Sequence, residues 1–375
     1  MIESGGGPGR RPPQPPPGRK RPVHPLPYAD LHALVPLDVE AELDAAIRRL
    51  GPEADARAAR GAVAGLLRRH PLRHPLWLLP LLVHGTETGE PAPAAPLAAL
   101  HVLWWTSACH LDDLADAPGR TGRGESGAVT GAGAGPSEEL MAAFLAGSVL
   151  PLRIVEALPA PPATRAALAS EVLTAWTAAA EGQLADIGTT AAHATPESAV
   201  AAYRGKSGGP YSMITAMAAR LSGAEPQRVE SWREFGALFG ILWQLFNDQE
   251  DILTGRHEDL RNGTPTHLLA CALEGAAPPA GRDRLLALSE AARRSAAARS
   301  ELLAALLAPA VLDRHRAGLG AFRARAHRVL AALGGHERYL PALQRLVDHA
   351  SALLLPPPGP AADAQPTRPW RPTGR

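Results

Sequence analysis

The sequence predicts an all-helical protein folded as one large bundle. Apolar residues recur at three- and four-residue spacing through most of the chain, alternating β-branched runs are absent, and prolines and glycines punctuate the periodic stretches. A length of 375 residues would suit two domains, yet a single large helical core also reaches this size.

The periodic stretches follow in order. Segment 39–50 repeats apolar residues through Leu43, Ile47 and Leu50, and 62–69 does so through Val63, Leu66 and Leu67. Segments 97–115, 140–158 and 164–188 are longer and carry the same period, and 198–203 and 210–222 lie between prolines and glycines. The stretch 228–254 is among the longest, and 266–273, 281–307, 317–333 and 338–355 complete the series. These place one helical domain at 28–355. The flanks 1–27 and 356–375 are rich in Pro, Gly and Arg, with too little apolar surface to offset chain entropy, and read as disordered arms. Segment 117–136 is too glycine-rich for a helix, and a loop this long inside a domain is usually functional or disordered. No repeat of fixed period is present.

Composition narrows the function. Lys plus Arg number 38 against 37 Asp plus Glu, a net charge of +1 that argues against nucleic acid as partner. The longest apolar candidate, 75–83, is too short to span a bilayer, so no transmembrane segment is predicted. The basic N-terminal stretch lacks the apolar core of a secretory signal, and a cytoplasmic location is expected. Cys109 and Cys271 give neither a disulfide framework nor metal-site spacing, and the histidines are scattered. Lys20 and Lys206 are the only lysines among the basic residues, which singles out Lys206 within the fold.

Two acidic clusters carry the chemistry. Asp112 and Asp116 are four apart on one helical face, with Asp113 flanking them. Carboxylates this close repel one another unless a cation is present, and hard oxygen donors suit Mg²⁺, which completes its shell with water and phosphate oxygens. A solvated acidic helix end has the same pattern. A second cluster, Gln244, Asn247, Asp248 and Asp251, lies late in the 228–254 stretch. Two such helix ends facing each other could hold several Mg²⁺ around one diphosphate and ionise it, leaving an allylic cation in an apolar pocket.

These residues resemble the trans-isoprenyl diphosphate synthases, or polyprenyl synthetases. Asp112-Asp113-Leu114-Ala115-Asp116 is similar to the family's first aspartate-rich motif, and Gln244 to Asp251 resembles its second, FQxxDDxxD. Gly182-Gln183-Leu184-Ala185-Asp186 resembles GQxxD, Lys206-Ser207 the diphosphate-contacting Lys-Thr pair, and the run from Asp259 to Thr266 resembles DLxxGKxT. The matches keep the family's order over roughly 97–269, a little under half the chain.

The resemblance implies the class I isoprenoid (terpenoid) synthase fold, up to three Mg²⁺ ions, an allylic prenyl diphosphate and isopentenyl diphosphate as substrates, and a homodimer. It implies Asp112, Asp113, Asp116, Lys206 and Asp248 as catalytic residues, and Asp112, Asp113, Asp116, Asn247, Asp248 and Asp251 as metal ligands. Lys206, Gln183, Asp186, Gln244 and Arg120 or Arg123 are expected at the allylic diphosphate.

The departures are unevenly distributed. Asn247 replaces an aspartate and removes one charge, so a third metal should bind more weakly. The Gly-Lys-Arg element for isopentenyl diphosphate has no lysine here, leaving Arg68, Arg69 or Arg73 as substitutes. The paired arginines after the first motif become Arg120 and Arg123, and Thr264 stands where the lysine of DLxxGKxT would be. The first motif and Lys206, which serve ionisation of the allylic substrate, are intact, and the elements for the second substrate are eroded. Three readings follow: a short-chain synthase of the polyprenyl type, a terpene synthase that ionises without isopentenyl diphosphate, and a non-catalytic partner subunit.

Ala108 lies one turn before Asp112 on its helix, leaving room, and Trp104 or Trp105 would close the channel roughly 11 to 12 Å below. That depth suits a C15 to C20 product, although both tryptophans could equally fill the inter-helical core.

Overall fold

The structure, a computed structural model, describes residues 31, 34–35, 39–70, 77–116, 135–188, 190–277 and 279–355. Both terminal arms, Arg73, Arg120 and Arg123 lie outside the described residues. Every regular element among those described is a helix. The helices are α1 (Val39–Arg48), α2 (Glu53–Arg69), α3 (Leu78–Thr88), α4 (Ala95–Asp116), α5 (Pro136–Phe144), α6 (Leu150–Ala157), α7 (Pro162–Gly188) and α8 (Pro196–Tyr203). They continue with α9 (Gly209–Leu221), α10 (Pro226–Leu253), α11 (Glu258–Asn262), α12 (His267–Gly275), α13 (Ala280–Ala292), α14 (Ala296–Leu306), α15 (Pro309–Leu333) and α16 (Leu340–Ala350).

α10 forms the axis, because its apolar residues cover most of its circumference and must be enclosed. It packs on α9, α15 and α16, while α9 also touches α3, α4 and α7. Phe235, Phe239, Trp243 and Phe246 stack along one α10 face, with centroids 6.1, 6.1 and 5.2 Å apart in succession. α4 is packed by α1, α3, α5 and α6. A second, smaller apolar cluster gathers α12, α14 and the start of α15 around Leu269, Leu302 and Leu312.

The structure corrects the helix boundaries in several places: α2 begins at Glu53, not 62, and α11 lies between two expected stretches. α3 was not among the expected helices, since LLPLLVHGTET has no polar face; its residues 78–86 are all buried, so no amphipathic stripe marks it. The expected 281–307 helix is two, with Ser295 capping α14 by accepting from the Ala298 amide at 3.3 Å. α15 begins at Pro309, not 317.

The 140–158 stretch is helical as far as Ala157, but a wide π-helical turn (Leu145–Val149) joins α5 to α6. The run Ser137–Ala157 is long and apolar enough to cross a membrane by length and composition, which the sequence reading did not recognise. Here it packs against α2, α4 and α7.

Close helix crossings need glycine. A Cβ on Gly240 of α10 would collide with the Ser207 carbonyl and lie 2.7 Å from the Gly208 Cα. Gly240→Ala is therefore expected to cost roughly 1–3 kcal/mol of stability. Gly320→Ala, whose Cβ would meet nothing within 4 Å, should be neutral or stabilising, and thermal melts of the two variants compare them.

His267 and His315 are buried with their Nδ1 atoms 3.0 Å apart. Burial pushes His267 down to about 4, against a small opposing pull from Glu197. Burial and then His267 push His315 down to about 3. Both are neutral in the fold at pH 5, whereas in the unfolded chain they take up protons below about 6.5. Stability is thus fully present above that value and is lost as pH falls toward 4. His315→Gln should lose roughly 2 kcal/mol less than the unsubstituted chain between pH 7 and 5, measured by urea unfolding.

Candidate active site

The end of α4, the middle of α7, the turn before α9 and the late part of α10 enclose a cavity of about 500 Å³. A π-helical turn (Arg204–Gly208) links α8 to α9 and brings Lys206 into this cavity. Its approach to α7 depends on two glycines in contact: a Cβ on Gly182 would lie 2.8 Å from the Lys206 backbone nitrogen and 2.9 Å from the Gly205 Cα. Gln183, the next residue, consequently sits beside Lys206 in the lining.

Lys206 Nζ is 3.1 Å from Asp112 Oδ1. The Gln183 amide nitrogen is shut off from water without a hydrogen-bond partner, a donor left for an anion. Gln244 and Asn247 line the cavity from α10, and Ala108, Leu111, Trp105 and Trp176 make its apolar part. Ser207 Oγ donates to Gln244 Oε1 at 2.9 Å, orienting that amide so that its nitrogen donates to Asp248 Oδ1 at 3.0 Å.

Asp248 and Asp251 are buried behind this surface. Tyr203 donates its hydroxyl to Asp248 Oδ2 and itself accepts from the His267 amide at 2.8 Å. Burial pushes the Asp248 carboxyl up to about 6 despite these hydrogen bonds. Asp251 Oδ1 accepts from the Glu258 amide at 3.0 Å and Oδ2 from the Asp259 amide at 3.3 Å, tying down the first turn of α11. Near the mouth, partial desolvation of a side chain that is still in contact with solvent, and then the neighbouring Asp112 charge, raise the Asp113 carboxyl above its usual range. Burial, followed by Asp112 and Asp113, pushes the lining Cys109 thiol up to about 12.

Of the expected site residues, Asp112, Gln183, Lys206, Gln244, Asn247, Trp105 and Ala108 meet in one cavity. Asp113 stands exposed next to Asp112. Asp116 ends α4 and Asp186 lies on α7, both described by their backbone alone. Of the two tryptophans expected as a channel floor on α4, Trp105 lines the cavity and Trp104 does not: Trp104 is fully buried and packs against Trp176, ring centroids 4.6 Å apart. Arg69 is held by Glu139 at 2.9 Å, and Arg68 is exposed. Sequence reasoning missed Trp176 and Tyr203. Trp176 lies seven residues, two helical turns, before Gln183, so the face that carries GQxxD already pointed to it. Tyr203 had no such signal, because its partner Asp248 is 45 residues away.

The oxygen donors at the mouth fit Mg²⁺. Asp112 and Asp113 crowd their charges, the Asn247 amide lines the same cavity, and no sulfur or imidazole ligand competes among the lining residues except the protonated Cys109. Lys206 and the orphaned Gln183 donor suit a phosphate oxygen.

The helical bundle and the donors lining its cavity fit a prenyl-transferring enzyme, and comparison with known proteins shows the family. The polyprenyl synthetase family profile matches residues 90–306. The chain belongs to that family and is a transferase of prenyl groups. No curated protein sequence matches it. Among solved structures, geranylgeranyl pyrophosphate synthetase from Pyrococcus horikoshii superposes with a TM-score of 0.68 at 19% identity, covering 86% of this chain and 98% of the other. A decaprenyl diphosphate synthase from Rhodobacter capsulatus gives 0.67 at 20% identity over 87% and 98%. Geranylgeranyl pyrophosphate synthase from Corynebacterium glutamicum, complexed with isoprenyl diphosphate and magnesium, gives 0.62 at 17% identity over 86% and 97%. At these identities the likeness is one of fold.

Proposed function

We propose that the protein is a Mg²⁺-dependent isoprenyl diphosphate synthase that joins an allylic diphosphate to isopentenyl diphosphate and makes a short product of C15 to C20. The observation that carries this reading is Lys206, Asp112 and Gln183 at the mouth of one cavity whose depth is apolar. Asp112 and Asp113, with Asp116 beyond them and Asn247 in the same cavity, are the residues that would hold Mg²⁺. When bound, the metal supplies positive charge to the leaving diphosphate. Lys206 and Gln183 would orient that diphosphate as donors, with Lys206 exchanging its Asp112 contact for phosphate oxygens. The allylic C–O bond breaks with its electron pair going to diphosphate, the alkene of isopentenyl diphosphate attacks the cation, and a proton is then lost. Trp105, Trp176 and Leu111 exclude water from the cation. A homodimer is consistent with Leu140, Met141 and Phe144, which are 48%, 55% and 53% exposed on α5.

One observation favours the terpene synthase alternative. Arg69, a candidate for the second diphosphate, is already engaged by Glu139. Incubation with Mg²⁺ and geranyl, farnesyl or geranylgeranyl diphosphate, with and without isopentenyl diphosphate, decides between the readings. Longer diphosphates that form only with isopentenyl diphosphate support the synthase. Hydrocarbon or alcohol formed without it supports the terpene synthase. Inactivity alone, with altered product length in a mixture with an active synthase, supports the partner subunit.

A further inference from the structure

The depth of the cavity is set from a second helix as well as from α4. Trp105 stands seven residues before Asp112, and Trp176 seven residues before Gln183. Asp112 and Gly182 both adjoin Lys206, so the two tryptophans reach about the same depth, roughly 10 Å below the mouth. Both line the cavity. Trp176 is backed by the buried Trp104.

Trp176 is also latched. Its indole N–H donates to the Gly147 carbonyl at 2.7 Å. Gly147 belongs to the π-helical turn between α5 and α6, where the widened ladder presents carbonyls sideways. Ser107 of α4 uses the same region, donating to the Ala143 carbonyl at 2.7 Å. The indole lies so close that a Cβ on Gly147 would stand 2.5 Å from its Cζ2 and would also strike Ser107. One hydrogen bond, one π-helical turn and one glycine therefore fix the rotamer of a large side chain in the apolar wall.

We propose that Trp176, latched to Gly147, is a specificity-determining residue that limits the length of the prenyl tail the cavity accepts. This rests on the reading of the cavity as a prenyl diphosphate site and assigns its inner boundary. Trp176→Ala opens the wall, Trp176→Phe keeps a ring but loses the latch, and Gly147→Ala keeps the indole but displaces it.

The test measures binding apart from turnover. Unreactive thiolo-diphosphate analogues with C10, C15 and C20 tails are titrated with Mg²⁺ into each variant, and products are then analysed with farnesyl and isopentenyl diphosphates. For the unsubstituted protein, affinity should stop rising once the tail reaches Trp176. In Trp176→Ala the C20 analogue should gain about tenfold in affinity while the C10 analogue changes little, since only the longer tail buries the added methylenes. Products should lengthen by one or more five-carbon units. Trp176→Phe should give an intermediate profile, and it replaces the alanine variant if circular dichroism shows that one unfolded. Unchanged tail-length dependence in a folded Trp176 variant would overturn the inference. If no analogue binds even to the unsubstituted protein, the prenyl diphosphate reading falls, and this inference with it. If analogues bind but no chain extension occurs, the synthase reading falls while the binding series still judges Trp176.

Discussion

Asp112→Asn is expected to lower prenyl transfer by about 10²- to 10³-fold, the scale of losing one preorganised charge contact at a leaving group. Asp112 combines two properties that no other described residue of the first motif shows: it lines the cavity and meets Lys206 at 3.1 Å. The substitution keeps shape and removes charge, so the Mg²⁺ donor weakens and the ion pair to Lys206 is lost together. Because the Asp112 side chain is 36% exposed, losing that pair should cost the fold little. A thermal melt close to that of the unsubstituted protein, combined with the loss of kcat/KM and a weaker Mg²⁺ titration, is the expected pattern. Activity within threefold of the unsubstituted protein would remove Asp112 from the chemistry.

Much of this site was legible because helical spacing carries it. Asp112, Ala108 and Trp105 are on one helix, and their separation in sequence gives their separation in space. The all-helical class followed from the same period. What was not legible depends on contacts between distant segments. α3 is enclosed on every side by other helices and has no polar face to give it a period. The direction of Asp248 depends on Tyr203 across the bundle, and the capture of Asp251 depends on how the chain turns into α11, with His257 in the left-handed region at φ 52°. Both aspartates share a face, as the spacing predicts, yet periodicity does not say whether that face meets the cavity or the protein. The π-helical turns at 145–149 and 204–208 are invisible to a 3.6-residue pattern, and they place Gly147 and Lys206.

That turning inward of the α10 carboxylates makes Asn247 the position of largest leverage on that helix. Toward the cavity α10 offers only amides, Gln244 and Asn247, so the negative charge at the mouth comes from the α4 side. Asn247→Asp would place a second carboxylate in the cavity that Asp112 lines. A unit charge about 4 Å from another interacts by roughly 1 kcal/mol in water and about 4 kcal/mol at a partly shielded site. Asn247 is half-buried, between those limits. The expected result is about a tenfold fall in the Mg²⁺ concentration for half-maximal activity, with a higher rate at limiting Mg²⁺. The same charge has the opposite effect without metal, since two carboxylates in one cavity repel. In EDTA the Asn247→Asp melt should lie below that of the unsubstituted protein, and added Mg²⁺ should raise it by more. Asn247→Ala removes the carbonyl donor and should raise the Mg²⁺ requirement instead. A crossover of melting temperatures between EDTA and Mg²⁺ requires that residue 247 and Asp112 share a cation; parallel shifts in both conditions would show that they do not.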